Sequence, residues 1–178
     1  MTRLIAVALY HRDHFSKGQA RRTFGPDGFH WAIAIITPGP DELEAGRRVF
    51  DATDASEINP VTFRLNNPSM EWWFRDQQTE DSTLAAKLLG HLVIGRVPED
   101  VQPDDLHHFF SAISLPVKDS NPQESCRTWV LDAIVALQKR GWVPHFELEP
   151  FQDEAVEYAD KRLDDPDTKE PSTKYFVR

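Results

Sequence analysis

The sequence predicts an α+β fold in which an antiparallel sheet packs against helices. Two apolar β-favouring runs, Leu4–Tyr10 and Phe29–Ile36, lie close together near the start, and such runs read as buried strands. A helical stripe appears only later. Trp129, Val130, Ala133, Ile134 and Leu137 recur at i, i+1, i+4, i+5 and i+8, which places them on one face of a helix.

Taken in order, residues 4–10 (LIAVALY) form the first strand. That run is too short to span a bilayer, and no small-residue cleavage site follows it. Residues 11–28 are polar and carry Gly18, Gly25, Pro26 and Gly28, so a mobile loop is expected there. Residues 29–36 (FHWAIAII) are the strongest strand, stopped by Thr37-Pro38-Gly39-Pro40. Residues 47–53, 61–66 and 71–75 read as further strands of an antiparallel meander. Residues 83–89 read as a short helix or a lead into a strand at 91–97. A helix at 103–114 opens with Pro103 and two acids. The clearest helix spans about 122–140, and Gly141 ends it. Two starts are open for it, at Pro122 or with Ser125 as the cap. A last amphipathic helix is expected at 152–163, followed by a polar, loosely ordered tail. The domain reading is a single unit over 1–150, with that helix and tail over 151–178.

Composition narrows the classes. The 178 residues include 40% hydrophobic side chains, with 5 Trp and 11 Phe, enough for a core without metal or disulfide staples. A formal net charge of −9 disfavours nucleic acid as a partner. Arg12, Lys17, Arg21 and Arg22 make the one basic cluster, read as a solvated loop. A single cysteine excludes an internal disulfide and fits a reducing compartment. The expectation is a soluble cytoplasmic protein with no membrane span.

Three residues could carry chemistry. Cys126 stands three residues before Trp129, on the apolar stripe, where a cysteine either packs or, at the helix N-terminus, becomes a nucleophile. His30 sits inside the strongest strand, beside Ala32 and Ala34, whose small size would let a helix approach; a buried imidazole needs a hydrogen-bond partner, and a thiol is one option. Asp51, in the next strand (RRVFDAT), could orient the ring, with Asp54 the fallback. Trp31, Trp72 and Trp129 are the expected substrate-binding aromatics. His11-x-x-His14 lacks a third ligand, and no phosphate loop, HExxH, GxSxG or dinucleotide fingerprint appears. No metal or cofactor is therefore expected.

HWAIAII, a second strand with a polar residue, and SCRTWVLDAIVAL resemble the circularly permuted papain-like hydrolases. That superfamily includes PPPDE-type peptidases, lecithin:retinol acyltransferase-like enzymes and permuted NlpC relatives, and the likeness covers roughly residues 3–142. Ser125 stands where Asn is usual, and Arg127 where Gln or Glu is. The resemblance implies a permuted papain-like fold with Cys126 as nucleophile, His30 as general base and Asp51 as orienting group. The expected function is a thiol-dependent hydrolase or acyltransferase acting on an amide, isopeptide, ester or thioester bond of a peptide or small-molecule acyl substrate. A catalytically silent binding module on the same frame is the alternative.

Overall fold

The computed structural model describes residues 2–39, 44–78, 82–165 and 167–176. In chain order it contains β1 (Leu4–His11), α1 (Gly18–Phe24), β2 (Phe29–Pro38), β3 (Glu44–Thr53), β4 (Glu57–Ile58), β5 (Leu65–Asn66), β6 (Trp73–Gln77), α2 (Ser82–Ala85) and β7 (Leu88–Arg96). Then follow α3 (Pro103–Ser111), α4 (Cys126–Lys139), α5 (Leu148–Asp164) and β8 (Thr173–Tyr175). Short 3₁₀ turns at Asp13–Ser16 and Gly25–Gly28 flank α1.

Six strands form one sheet in the order β6-β3-β2-β1-β7-β8. All neighbours are antiparallel except β7 and β8. The two apolar runs lie side by side at its centre, with Ala6 opposite Ala34 and Val7 opposite Ile33. Both are buried on both faces, so they read as continuous hydrophobic runs rather than alternating ones. One face presents Ile5, Val7, Leu9, Trp31, Ile33 and Phe50 to the helices. Against it lie Trp129, Val130, Ala133, Ile134 and Leu137 of α4, Phe151 and Ala155 of α5, and Leu106 and Phe110 of α3. The other face carries Ala6, Ala8, Ala32 and Ala34 under Leu84 and Leu88. The alanines beside His30 thus do not receive α4, which packs on the opposite face.

Three segments depart from the sequence reading. Residues 11–28 are an anchored unit rather than a mobile loop. The Ser16 hydroxyl donates to Gly28 O, Arg12 Nη1 donates to Asp27 O, and Arg21 forms a two-pronged pair with Asp160 at 2.9 and 2.8 Å. Two members of the basic cluster are therefore committed to internal contacts. The strand expected at 61–66 shrinks to the hairpin of β4 and β5, whose Ile58, Val61, Phe63 and Leu65 stay exposed. The tail expected to be loose adds β8 to the sheet edge, pairing Thr173 with His91 and Tyr175 with Val93. Phe176 packs on Phe146 and Phe151, and the Tyr158 hydroxyl donates to Pro171 O. A boundary at residue 150 falls inside α5, which packs on β7 and β1. Among the described residues no helix is long and apolar enough to cross a membrane.

Candidate active site

The β2–β3 ladder starts at Ile33↔Phe50 and runs away toward Pro38↔Glu44. On the other side of that point β2 stays paired to β1, with His30 opposite Tyr10, while Asp51–Thr53 of β3 pair with β6. The polar centre forms where the two strands part. His30 Nε2 donates to Asp51 Oδ2 at 2.6 Å, and Asp51 is only 1% exposed. Directly across the β3–β6 ladder from Asp51 stands Arg75, which donates from Nε to Oδ1 at 3.0 Å and from Nη2 to Oδ2 at 2.6 Å. A fork-shaped guanidinium matches both carboxylate oxygens, so the acid is fixed in plane as well as in place.

Cys126 is the first residue of α4, and Ser125 is its cap. Of the two starts left open by the sequence, the structure takes Ser125. Its hydroxyl accepts from Arg127 N at 3.2 Å, while Thr128 Oγ1 accepts from Ser125 N at 2.8 Å. This reciprocal box begins the helix abruptly and places the Cys126 amide in the first turn, among the N–H groups that helix geometry leaves without intrahelical acceptors. Ser125 Oγ also donates to Asp27 Oδ1 at 2.5 Å, and Arg127 Nε reaches the same oxygen at 3.1 Å. Asp27 lies three residues before His30. The cap therefore ties the helix carrying the thiol to the turn leading into the imidazole's strand.

Cys126 lies near enough to His30 to act on the imidazole's proton affinity. Asp51 holds Nε2, which leaves Nδ1 as the ring nitrogen not engaged by the acid. Burial alone would lower the His30 pKa. The neighbouring Cys126 and the hydrogen bond to Asp51 outweigh it and raise the value from 6.5 to about 10. Burial pushes Asp51 up, but His30 and Arg75 more than reverse this and hold its carboxyl below the ordinary value. The arrangement is a base oriented by a buried acid and coupled to a thiol at a helix N-terminus. It can deprotonate the thiol, hold the resulting ion pair and offer backbone N–H groups to an oxyanion.

A cleft of about 990 Å³ opens beside His30, walled by Tyr10, Arg12, Phe15, Arg75, Leu84 and Lys87 among others. Asp54, the fallback acid, lies on this wall rather than behind the imidazole. Cys126 is 5% exposed and is not part of that wall.

The expected aromatic subsites fare less well. Trp31 is fully buried, with its indole donating to Pro26 O at 2.9 Å, and Trp129 is 1% exposed in a ring cluster with Phe74 and Phe110. Both belong to the sheet–helix core and cannot line a groove, because their faces of β2 and α4 point at each other. Trp72 is half-buried against the core edge. The reading missed Arg75: an arginine in a strand signals nothing until the register sets it opposite an acid. Among the described residues no group of three or more His, Cys, Asp or Glu side chains is placed to hold a metal ion.

Comparison with known protein families adds one finding. A family model described as a family of unknown function, DUF6914, matches residues 2–167. The chain belongs to the DUF6914 family. The DUF6914 match includes His30, Asp51, Arg75 and Cys126. No curated protein matches the chain, and no solved structure does.

Proposed function

We propose that this protein is a thiol-dependent hydrolase or acyltransferase acting on an amide, isopeptide, ester or thioester bond. The observation carrying the reading is the 2.6 Å contact of His30 with buried Asp51, with the thiol that opens α4 close enough to raise the imidazole's pKa. His30 takes the Cys126 proton, and the thiolate sulfur attacks the carbonyl carbon. The tetrahedral oxygen gains its negative charge beside the Cys126 amide. As the carbon–heteroatom bond breaks, His30 returns the proton to the leaving group. Water or an amine then attacks the thioester, passing its proton to His30 and regenerating the thiol. The likeness to the permuted papain-like hydrolases supports the same roles, and a peptide or small-molecule acyl compound is the substrate class.

The test is the rate of Cys126 alkylation by iodoacetamide against pH, in the wild type and in His30→Ala. The wild type is expected to react rapidly below about pH 7, and the variant to fall back to an ordinary thiol profile centred near about 8.5. Slow reaction with that ordinary profile in both proteins removes the enzyme reading.

A second reading, a catalytically silent binding module, has one observation behind it. Cys126 is 5% exposed, and the cleft wall holds His30 but not the thiol. On that reading the cleft is the binding site, and a ligand that protects the cleft would leave alkylation of Cys126 unchanged.

A further inference from the structure

We infer that Arg75 is a positioning residue for the proposed reaction: it holds Asp51 ionised and in plane, so that His30 keeps one ring orientation and turns its other nitrogen toward Cys126. The inference rests on the catalytic reading above and extends it by one residue. Three N–H donors converge on the two oxygens of Asp51, two from Arg75 and one from His30. The carboxylate is 1% exposed, so water contributes almost nothing to holding its charge. With His30 as sole partner, a buried carboxylate would take up a proton at higher pH, and Nε2 would lose its acceptor.

Arg75 is itself held on three sides. Its cross-strand position faces Asp51, Nη1 lies 3.5 Å from Glu57 Oε1, and its guanidinium sits 5.9 Å from the centre of the Trp73 ring. It also forms part of the cleft wall, where Glu57 lies too. The cleft rim is thereby joined to the imidazole through one side chain. A positive charge here weakens the pull of Asp51 on the imidazolium, so the contribution of Arg75 is orientation rather than a stronger base.

The charged and titratable groups around this centre are Cys126 and Asp51 facing His30, His30 and Arg75 facing Asp51, and Glu57 and Tyr10 facing Arg75. The experiment compares Arg75→Gln and Arg75→Lys with the wild type by two readouts. The first is the pH profile of Cys126 alkylation by iodoacetamide. The second is the His30 Nε2–H proton resonance in histidine-¹⁵N-labelled protein, which reports the Asp51 hydrogen bond whether or not the thiol is reactive. In Arg75→Gln the acid limb should move up by at least about one pH unit, making alkylation at acid pH about tenfold slower. The Nε2–H resonance should broaden or vanish. Arg75→Lys, which keeps the charge without the fork, should fall between.

Wild-type resonance and profile in both folded variants would overturn the inference and leave Arg75 a structural ion pair. If Arg75→Gln does not fold, Arg75→Lys decides: a wild-type resonance and profile there also overturn it. If the wild-type profile is insensitive to His30→Ala, the catalytic reading fails, while the resonance still decides whether Arg75 positions the His30–Asp51 pair.

Discussion

Replacing Asp51 by Asn tests the centre of the site without opening a cavity, because the two side chains have nearly the same volume. The carboxylate is 1% exposed and receives Arg75 and His30 at 2.6 Å each on one oxygen. Removing one member of a buried ion pair costs about 3–5 kcal/mol, chiefly because its partners remain buried and uncompensated. Here the partners are 15% and 17% exposed, so water recovers part of the loss. A cost of about 3 kcal/mol is the expectation, a fall in Tm of about 6–12 °C for a domain of this size.

The cost should also depend on pH. The folded His30 value of about 10 lies above its unfolded value of 6.5. Its contribution is therefore fully present below pH 6.5 and is lost as pH rises through about 10. Asp51 supplies part of that contribution, so the gap between wild type and variant should be widest near about pH 6 and narrower near about pH 10.5. Urea denaturation at the two pH values, with the slope m checked for constancy, measures both gaps. A loss below about 0.5 kcal/mol, equal at both pH values, would show that Asp51 is not an ionised partner of His30 and would refute this account.

Two further predictions concern the rest of the fold. A Cβ at Gly90 would lie 2.0 Å from the Tyr158 hydroxyl and 2.8 Å from Ser172 O. Gly90→Ala should therefore cost at least about 2 kcal/mol by displacing a hydroxyl that holds the β8 approach. Adding Tyr158→Phe should restore part of the loss in denaturant titration, and no restoration would point to the backbone instead. Burial, reinforced by the charge of Arg47, lowers His91 to about 3. Because the unfolded histidine binds its proton first, stability should fall as pH drops below 6.5, with a slope of up to about 1.4 kcal/mol per pH unit. His91→Gln should flatten that limb by one proton, and an unchanged slope would assign it to other groups.

Much of the candidate site was legible because two of its parts are written locally. A histidine in the apolar run FHWAIAII needs a partner, and a cysteine after a serine and before an apolar helical stripe marks a helix start. Asp51 was legible as an acid in a strand, since an isolated carboxylate in such a place needs compensation. Arg75 was not, because its role depends on which residue of β3 it faces, and a one-residue slip would put it on the other side of the sheet. Trp31 and Trp129 were misjudged for a related reason: an aromatic residue looks the same in a string whether its face meets a helix or a groove.

By itself the sequence determined the elements whose signal is carried by neighbouring residues: the two central strands, the stripe of α4 and its glycine stop, and the α+β class. Backbone propensity and hydrophobic period act over a few residues, so they survive without knowledge of the rest of the chain. The tertiary structure alone decided which face of β2 meets α4, where β2 and β3 part, and that the polar tail closes the sheet as β8. These outcomes join residues tens of positions apart, 21 between His30 and Asp51 and 24 between Asp51 and Arg75. Contacts of that range are set by burial and register across the whole sheet, and no local stretch of chain encodes them.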